Sequence, residues 1–192
     1  MLAYISWHRP PPTVKHEAYE SALERFHRSL AHRPPSGFRG SASLRIDEVP
    51  WLDGAGYEDW YLIDDWSALG VLEEAAVSRG HVGAHEAVAA FAGMETAAVY
   101  RLLEGSADPG CAAVAVWVTP APGRERPALG QLLGDGIDPE CDGLWQRCLV
   151  LGPAPQYCLL AAEAPAGVAP TRLPSGWTAI SSERVVLWSA AA

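Results

Sequence analysis

Apolar positions along this chain switch between a period of two and a period near three and a half, and the order of those switches predicts the elements. Ala3 to Trp7 is a short apolar and aromatic run stopped by Pro10-Pro11-Pro12, which predicts a strand. From Val14 to Ala31, Tyr19, Leu23, Phe26 and Leu30 recur at helical spacing with Glu17, Glu20, Glu24, Arg25 and Arg28 largely between them, so an amphipathic helix is expected. Thr13 is its predicted N-cap and Pro34-Pro35-Ser36-Gly37 its end. Ser41 to Val49 alternates, with Ala42, Leu44 and Ile46 on one side and Ser43, Arg45 and Asp47 on the other, a half-polar strand. In Glu58 to Trp66 both alternating sets carry large apolar side chains, as in a strand covered on both faces. Ser67 or Asp65 can cap a helix over Ala68 to Ala76. A second helical piece from Val82 to Ala92 ends at Gly93, and Thr96 to Leu103 supplies a closing strand. The order β-α-β-β-α-β is the ferredoxin-like arrangement.

The stretch from Glu104 to Gly110 has linker composition, after which the pattern restarts. Ala3, Trp7, Pro10 and Pro12 of the first strand and its proline brake match Ala113, Trp117, Pro120 and Pro122 of the second start. Further on, Ala22-Leu23 aligns with Ala128-Leu129, Arg45 with Arg147, and Leu62 with Leu159, while Val185 to Trp188 reads as the last strand. Pro165, Pro170 and Pro174 stand where a second helix of this copy belongs, so that helix is short or absent. The expected fold is α+β: two tandem ferredoxin-like units with antiparallel sheets packed face to face. The boundaries are 1–105 for the first unit, 106–112 for the linker and 113–192 for the shorter second unit.

Such a tandem resembles the dimeric α/β-barrel superfamily, in which two ferredoxin-like units bring their open sheet faces together, here within one chain. The segments Asp65-Trp66-Ser67-Ala68-Leu69 and Gly80-His81-Val82-Gly83-Ala84-His85-Glu86-Ala87 are similar to the strand, helix and histidine-bearing turn of small antibiotic-biosynthesis-type monooxygenases. The resemblance implies the fold. It leaves the activity open, since the superfamily also includes haem-degrading and ligand-storing members.

Composition narrows the classes. With 192 residues, about half hydrophobic and under a fifth charged, the chain can bury a core. Its net charge of -9, without a run of Lys or Arg, argues against nucleic acid and anionic membranes as partners. No export signal opens the chain and no apolar run approaches the roughly 20 residues that span a bilayer, so a soluble, cytoplasmic protein is expected. Cys111, Cys141, Cys148 and Cys158 form no C-x-x-C pair and read as buried free thiols. The fused pair is expected as a monomer with an internal pseudo-dimer or as a homodimer.

Chemistry is expected between the sheets. If Ser6 and His8 share a polar face with Arg45, Asp47 and Arg101, beside Tyr4 and Tyr61, an inter-sheet cavity would suit a small, partly apolar anionic or phenolic molecule. In that reading His8 is the proton acceptor and Arg45 and Arg101 hold the anion, with no cofactor and no metal. The same residues equally suit an ion-pair network, Arg45 or Arg101 with Asp47, that fixes how the sheets pair. His81 and His85 are four apart with Glu86 beside them; two ligands do not make a metal site and a third would have to come from elsewhere in the chain, so the simpler reading is a solvated helix start. Two other functions stand beside ligand chemistry: a non-enzymatic assembly module, and haem binding through His81, His85 or His8. Trp7, Trp60, Trp66, Trp117 and Trp188 lie on or at the ends of predicted strands, where packing is their expected use.

Overall fold

A computed structural model describes residues 1–47, 49–52, 54–78, 80–91, 93–123, 138, 140–163 and 173–191. Its elements are β1 (Leu2–Arg9), α1 (His16–His32), β2 (Phe38–Ile46), β3 (Gly56–Ile63), α2 (Trp66–Ala76), α3 (Val82–Ala89), β4 (Gly93–Gly105), β5 (Val114–Thr119), β6 (Gly143–Val150), β7 (Tyr157–Ala161) and β8 (Thr178–Ala191). The eight strands close into one antiparallel barrel in the order β1-β3-β2-β8-β5-β7-β6-β4, with β4 returning to β1. Closure leaves the described strands without an open edge, which removes the usual template for unwanted pairing. Among the described residues no helix is long and apolar enough to cross a membrane.

Several local expectations shift by a few residues. The first helix starts at His16 with Lys15 as its N-cap and no side-chain cap, so Thr13 lies in the turn before it. Asp65 rather than Ser67 caps α2, its side chain accepting from the Ala68 amide at 3.0 Å. Gly37 ends the α1–β2 connection with φ at +78°, where a side chain would also run into Ala68. The positions expected for a shorter helix near Ala128-Leu129, and Pro165 and Pro170, lie outside the described residues.

One expectation about faces is reversed. Placing Arg45 and Asp47 between the sheets requires Leu44 and Ile46, on the other side of the strand, to lie under the helices. Instead Ala42, Leu44 and Ile46 face the barrel interior, and Arg45 and Asp47 are exposed on the outside. The reason is that both faces of this half-barrel are covered, and the closed interior is the drier of the two, so it takes the larger apolar set.

That interior holds the main apolar core. Ala3, Ile5, Trp7, Trp51, Trp60, Tyr100, Trp117, Trp145 and Leu160 belong to one buried cluster drawn from both halves of the chain. Trp7 meets Trp117 edge-on at 5.4 Å and Trp51 at 5.5 Å, and Trp60 meets Trp145 at 5.3 Å, the geometry that ring quadrupoles prefer. Trp66, by contrast, is exposed, and Trp188 receives the Arg28 guanidinium on its face at 5.1 Å. Within the core one ion pair is wholly buried: Arg184 Nη2 of β8 donates to Glu58 Oε1 of β3 at 3.1 Å. Glu58 also accepts from Trp60 Nε1 at 2.6 Å and from Trp7 Nε1 at 2.8 Å. Arg184 Nη1 donates to the carbonyls of Pro109 and Ala112. An ion pair does join the two halves, but through Glu58 and Arg184 rather than Arg45, Arg101 or Asp47.

Candidate functional site

The outer face of β1 and β3 holds the chemistry. Alternation sends Ala3, Ile5 and Trp7 inward, so Tyr4, Ser6 and His8 point outward beneath the helices; likewise Tyr57, Asp59 and Tyr61 point outward from β3. The amphipathic stripe of α1 lies over them with Tyr19, Leu23, Phe26, His27 and Leu30 buried. Helices α2 and α3 complete the roof. Between roof and sheet is a cavity of about 280 Å³. Its floor and walls include Tyr4, Ser6, His8, Asp59 and Tyr61 from the strands. Tyr19, Phe26, Leu72, Glu73 and His85 come from the helices.

Asp59 is the hub. His8 Nε2 lies 3.0 Å and His27 Nε2 3.3 Å from its Oδ2, both at ion-pair distance though neither N–H is aimed squarely at the oxygen. The Tyr61 hydroxyl donates to the same Oδ2 at 3.2 Å. Burial alone would raise the pKa of Asp59, but the His8 and His27 imidazoles outweigh it and hold the carboxyl below the usual carboxylate range. Oδ1 of the same carboxylate is buried, lies in a residue that lines the cavity, and has no protein partner among the described residues.

The ring nitrogens follow from this charge. An ionised Asp59 3.0 Å from Nε2 of His8 favours the proton on that nitrogen, leaving Nδ1 to accept from the Tyr19 hydroxyl at 2.6 Å. Burial first, then the charge of Asp59 and the neighbouring Tyr57, pushes the Tyr19 phenol far above its ordinary value, so Tyr19 keeps its proton and donates it. His8 also stacks on Tyr57 at 6.0 Å, and His27 on Tyr61 at 5.1 Å. Tyr4, raised to about 12 by burial and then by Glu73, is a neutral phenol on the cavity wall.

The expected site residues divide accordingly. Ser6, His8 and Tyr61 do come together, but on the outer face under the helices and not between the sheets. His8 is tied to Tyr19 through Nδ1 and lies with Nε2 at ion-pair distance from Asp59, without a hydrogen bond at that nitrogen. Arg45 and Arg101 are exposed and away from the cavity. Arg45 donates to Glu20 Oε1 at 2.7 Å on the outside of α1. Asp47 is exposed beyond the end of β2. Among the described residues lining the cavity there is no Lys or Arg, so the anion-holding forks are missing and two carboxylates stand in their place.

Asp59, Tyr19 and His27 were missed. The signal for His27 was legible: it falls four after Leu23 and three before Leu30, within the buried stripe of α1, and a histidine there needs a polar partner. His81 is buried rather than solvated, its Nδ1 3.0 Å from the Ser29 hydroxyl. The Ser29 hydroxyl donates to the Phe26 carbonyl, so His81 Nδ1 carries the proton between them. His85 is half-buried on the roof, edge-on to Phe26 at 5.5 Å. Among the described residues no group of three or more His, Cys, Asp and Glu is placed to hold a metal ion.

No family model matches the chain, and no curated protein matches it. It is similar in structure to a solved protein described as anthrone oxidase-like, with a TM-score of 0.57 and 11% sequence identity. The match covers 99% of this chain and 92% of that one, and at such identity it speaks to the fold.

Proposed function

We propose that this protein binds a small, neutral phenolic aromatic molecule in the pocket between the outer sheet face and the helices, with the ligand hydroxyl donating to Asp59. The observation that carries this reading is the ionised Asp59 carboxylate, which belongs to a residue lining the cavity and whose buried Oδ1 has no partner among the described residues. A buried carboxylate oxygen in that state costs free energy unless a donor reaches it. Tyr4, Phe26 and Tyr61 supply aromatic walls, and the volume is close to the lower end of the roughly 300–1,000 Å³ usual for small-molecule sites. The lack of a cation in the wall disfavours an anionic ligand. The solved neighbour is described by reference to an anthrone, a fused aryl ketone that tautomerises to a phenol, which is compatible with this class.

The fold reading that accompanies it is of two ferredoxin-like units fused in one barrel. It is supported by the strand order, since β4-β1-β3-β2 in the first half is repeated by β8-β5-β7-β6 in the second. A second functional reading, a structural module, is favoured by one observation: the Asp59 network joins α1 to the sheet through groups that are nearly all buried. Isothermal titration with 4-ethylphenol separates the two. Binding that weakens at least tenfold in Asp59→Asn, the loss of a charge-assisted hydrogen bond of about 1.5–3 kcal/mol, supports the ligand site. Destabilisation of that variant with no phenol binding in the wild type assigns the network to structure.

A further inference from the structure

We infer that the ligand is elongated: a phenol carrying an alkyl chain, whose tail leaves the Asp59 pocket and lies in a second, apolar groove beside it. This rests on the phenol reading and extends it to a subsite. A cavity of about 270 Å³ is lined by Tyr4, Leu69, Glu73, Ala98, Val99, Leu149 and Leu151. It shares Tyr4 and Glu73 with the Asp59 pocket, so the two are adjoining chambers with one common wall.

Strand register makes the path continuous. Tyr61 on β3 pairs with Tyr4 on β1, Tyr4 with Val99 on β4, and Val99 with Leu149 on β6. Paired residues project from the same sheet face, so these four side chains form one row running across the barrel from the polar pocket into the apolar groove. Asp59 lies two residues from Tyr61 on that face, at the polar end of the row. The roof follows the same track: Leu72 covers the pocket, while Leu69 of the same helix covers the groove.

The groove also accounts for an otherwise costly feature. Leu149 is 45% exposed and Leu151 63% exposed, with half-buried Leu69 lining the same groove over the buried Val99. A contiguous apolar patch at the mouth of a pocket is what a ligand tail would cover. Glu73, exposed at the junction, excludes an anionic group from the midpoint of the ligand, so the chain joined to the phenol is uncharged there.

Titration of the full chain with 4-ethylphenol, 4-butylphenol and 4-hexylphenol tests this. Each added methylene is expected to tighten binding about two- to fourfold, the upper value being that of a fully buried CH₂. In the double variant Leu149→Ser/Leu151→Ser, both at exposed positions, 4-ethylphenol should bind as in the wild type while the gain with chain length is lost. Equal affinities across the series overturn the tail groove and leave the phenol pocket standing. A gain that persists in the double variant places the tail elsewhere and also overturns the groove. Failure of every phenol to bind overturns both the groove and the reading beneath it.

Discussion

Glu58 and Asp59 are consecutive carboxylates in one strand, both buried, and they face opposite sides of the sheet into opposite kinds of environment. Glu58 looks into the barrel and meets three donors, the indoles of Trp7 and Trp60 and the Arg184 guanidinium, each within 3.1 Å. Its charge is matched by a fixed cation, and it lines neither of the two cavities on the outer face. Asp59 looks outward toward a cavity that it helps to line and has its three contacts crowded on one oxygen, two of them from imidazoles, while its other oxygen has no partner among the described residues. The difference separates a closed electrostatic joint from an open one. The first ties two halves of the chain together, and the second retains capacity for a donor from outside.

The largest expected effect lies at the closed joint. Arg184→Met strands Glu58 in the core with only two indole donors, and breaking a buried pair from one side typically costs about 3–5 kcal/mol. Urea unfolding followed by tryptophan fluorescence measures it. Replacing both partners by apolar residues, Glu58→Leu with Arg184→Leu, should recover much of the loss, because the desolvation of both charges disappears together. A single replacement costing under about 1 kcal/mol would mean that tryptophan packing alone holds the halves, and the contrast with Asp59 would lose one side.

At the open joint the effect is smaller and depends on pH. The folded pKa of Asp59 is lowered, so folding favours its ionised form and that contribution is complete above the unfolded value of about 4. It is lost as the pH falls below that value toward the folded pKa. Asp59→Asn should therefore be less stable than the wild type at neutral pH, with the gap narrowing in acid; thermal melts at pH 7 and pH 3 give both values. A gap of constant size would show that the Asp59 charge is not what His8 and His27 stabilise.

What the sequence carried and what it withheld divide along the same strand. Element order was legible because the period changes are sharp: the run from Tyr19 to Leu30 is helical whatever covers it, and the proline triplet after Arg9 stops a strand in any context. Ser6, His8 and Tyr61 were legible as one cluster because alternation places them on shared faces. Which face becomes the inside was not legible, since Ala42, Leu44 and Ile46 would be content under helices or inside a barrel, and only closure decides. Asp59 was hidden for a related reason. Next to Glu58 it reads as one of a pair of solvated charges, and nothing in the local pattern shows that one meets an arginine 126 positions away while the other meets a histidine on α1.

The smallest expected effect tests the reversed face itself. Arg45 sits on the outside of β2 with half its side chain exposed, paired to Glu20 at 2.7 Å. The pKa of Arg45 is raised by that hydrogen bond first and the Glu20 charge second, but at such exposure solvent and salt screen most of the attraction. Arg45→Ala should then change stability by no more than about 0.5 kcal/mol, in the range of exposed ion pairs. It should also leave 4-ethylphenol affinity untouched, because the guanidinium does not reach the cavity. Had Arg45 held an anion between the sheets, the same substitution would abolish binding. A clear loss of affinity would return the site to the barrel interior and undo the distinction between the packed core and the outer pocket.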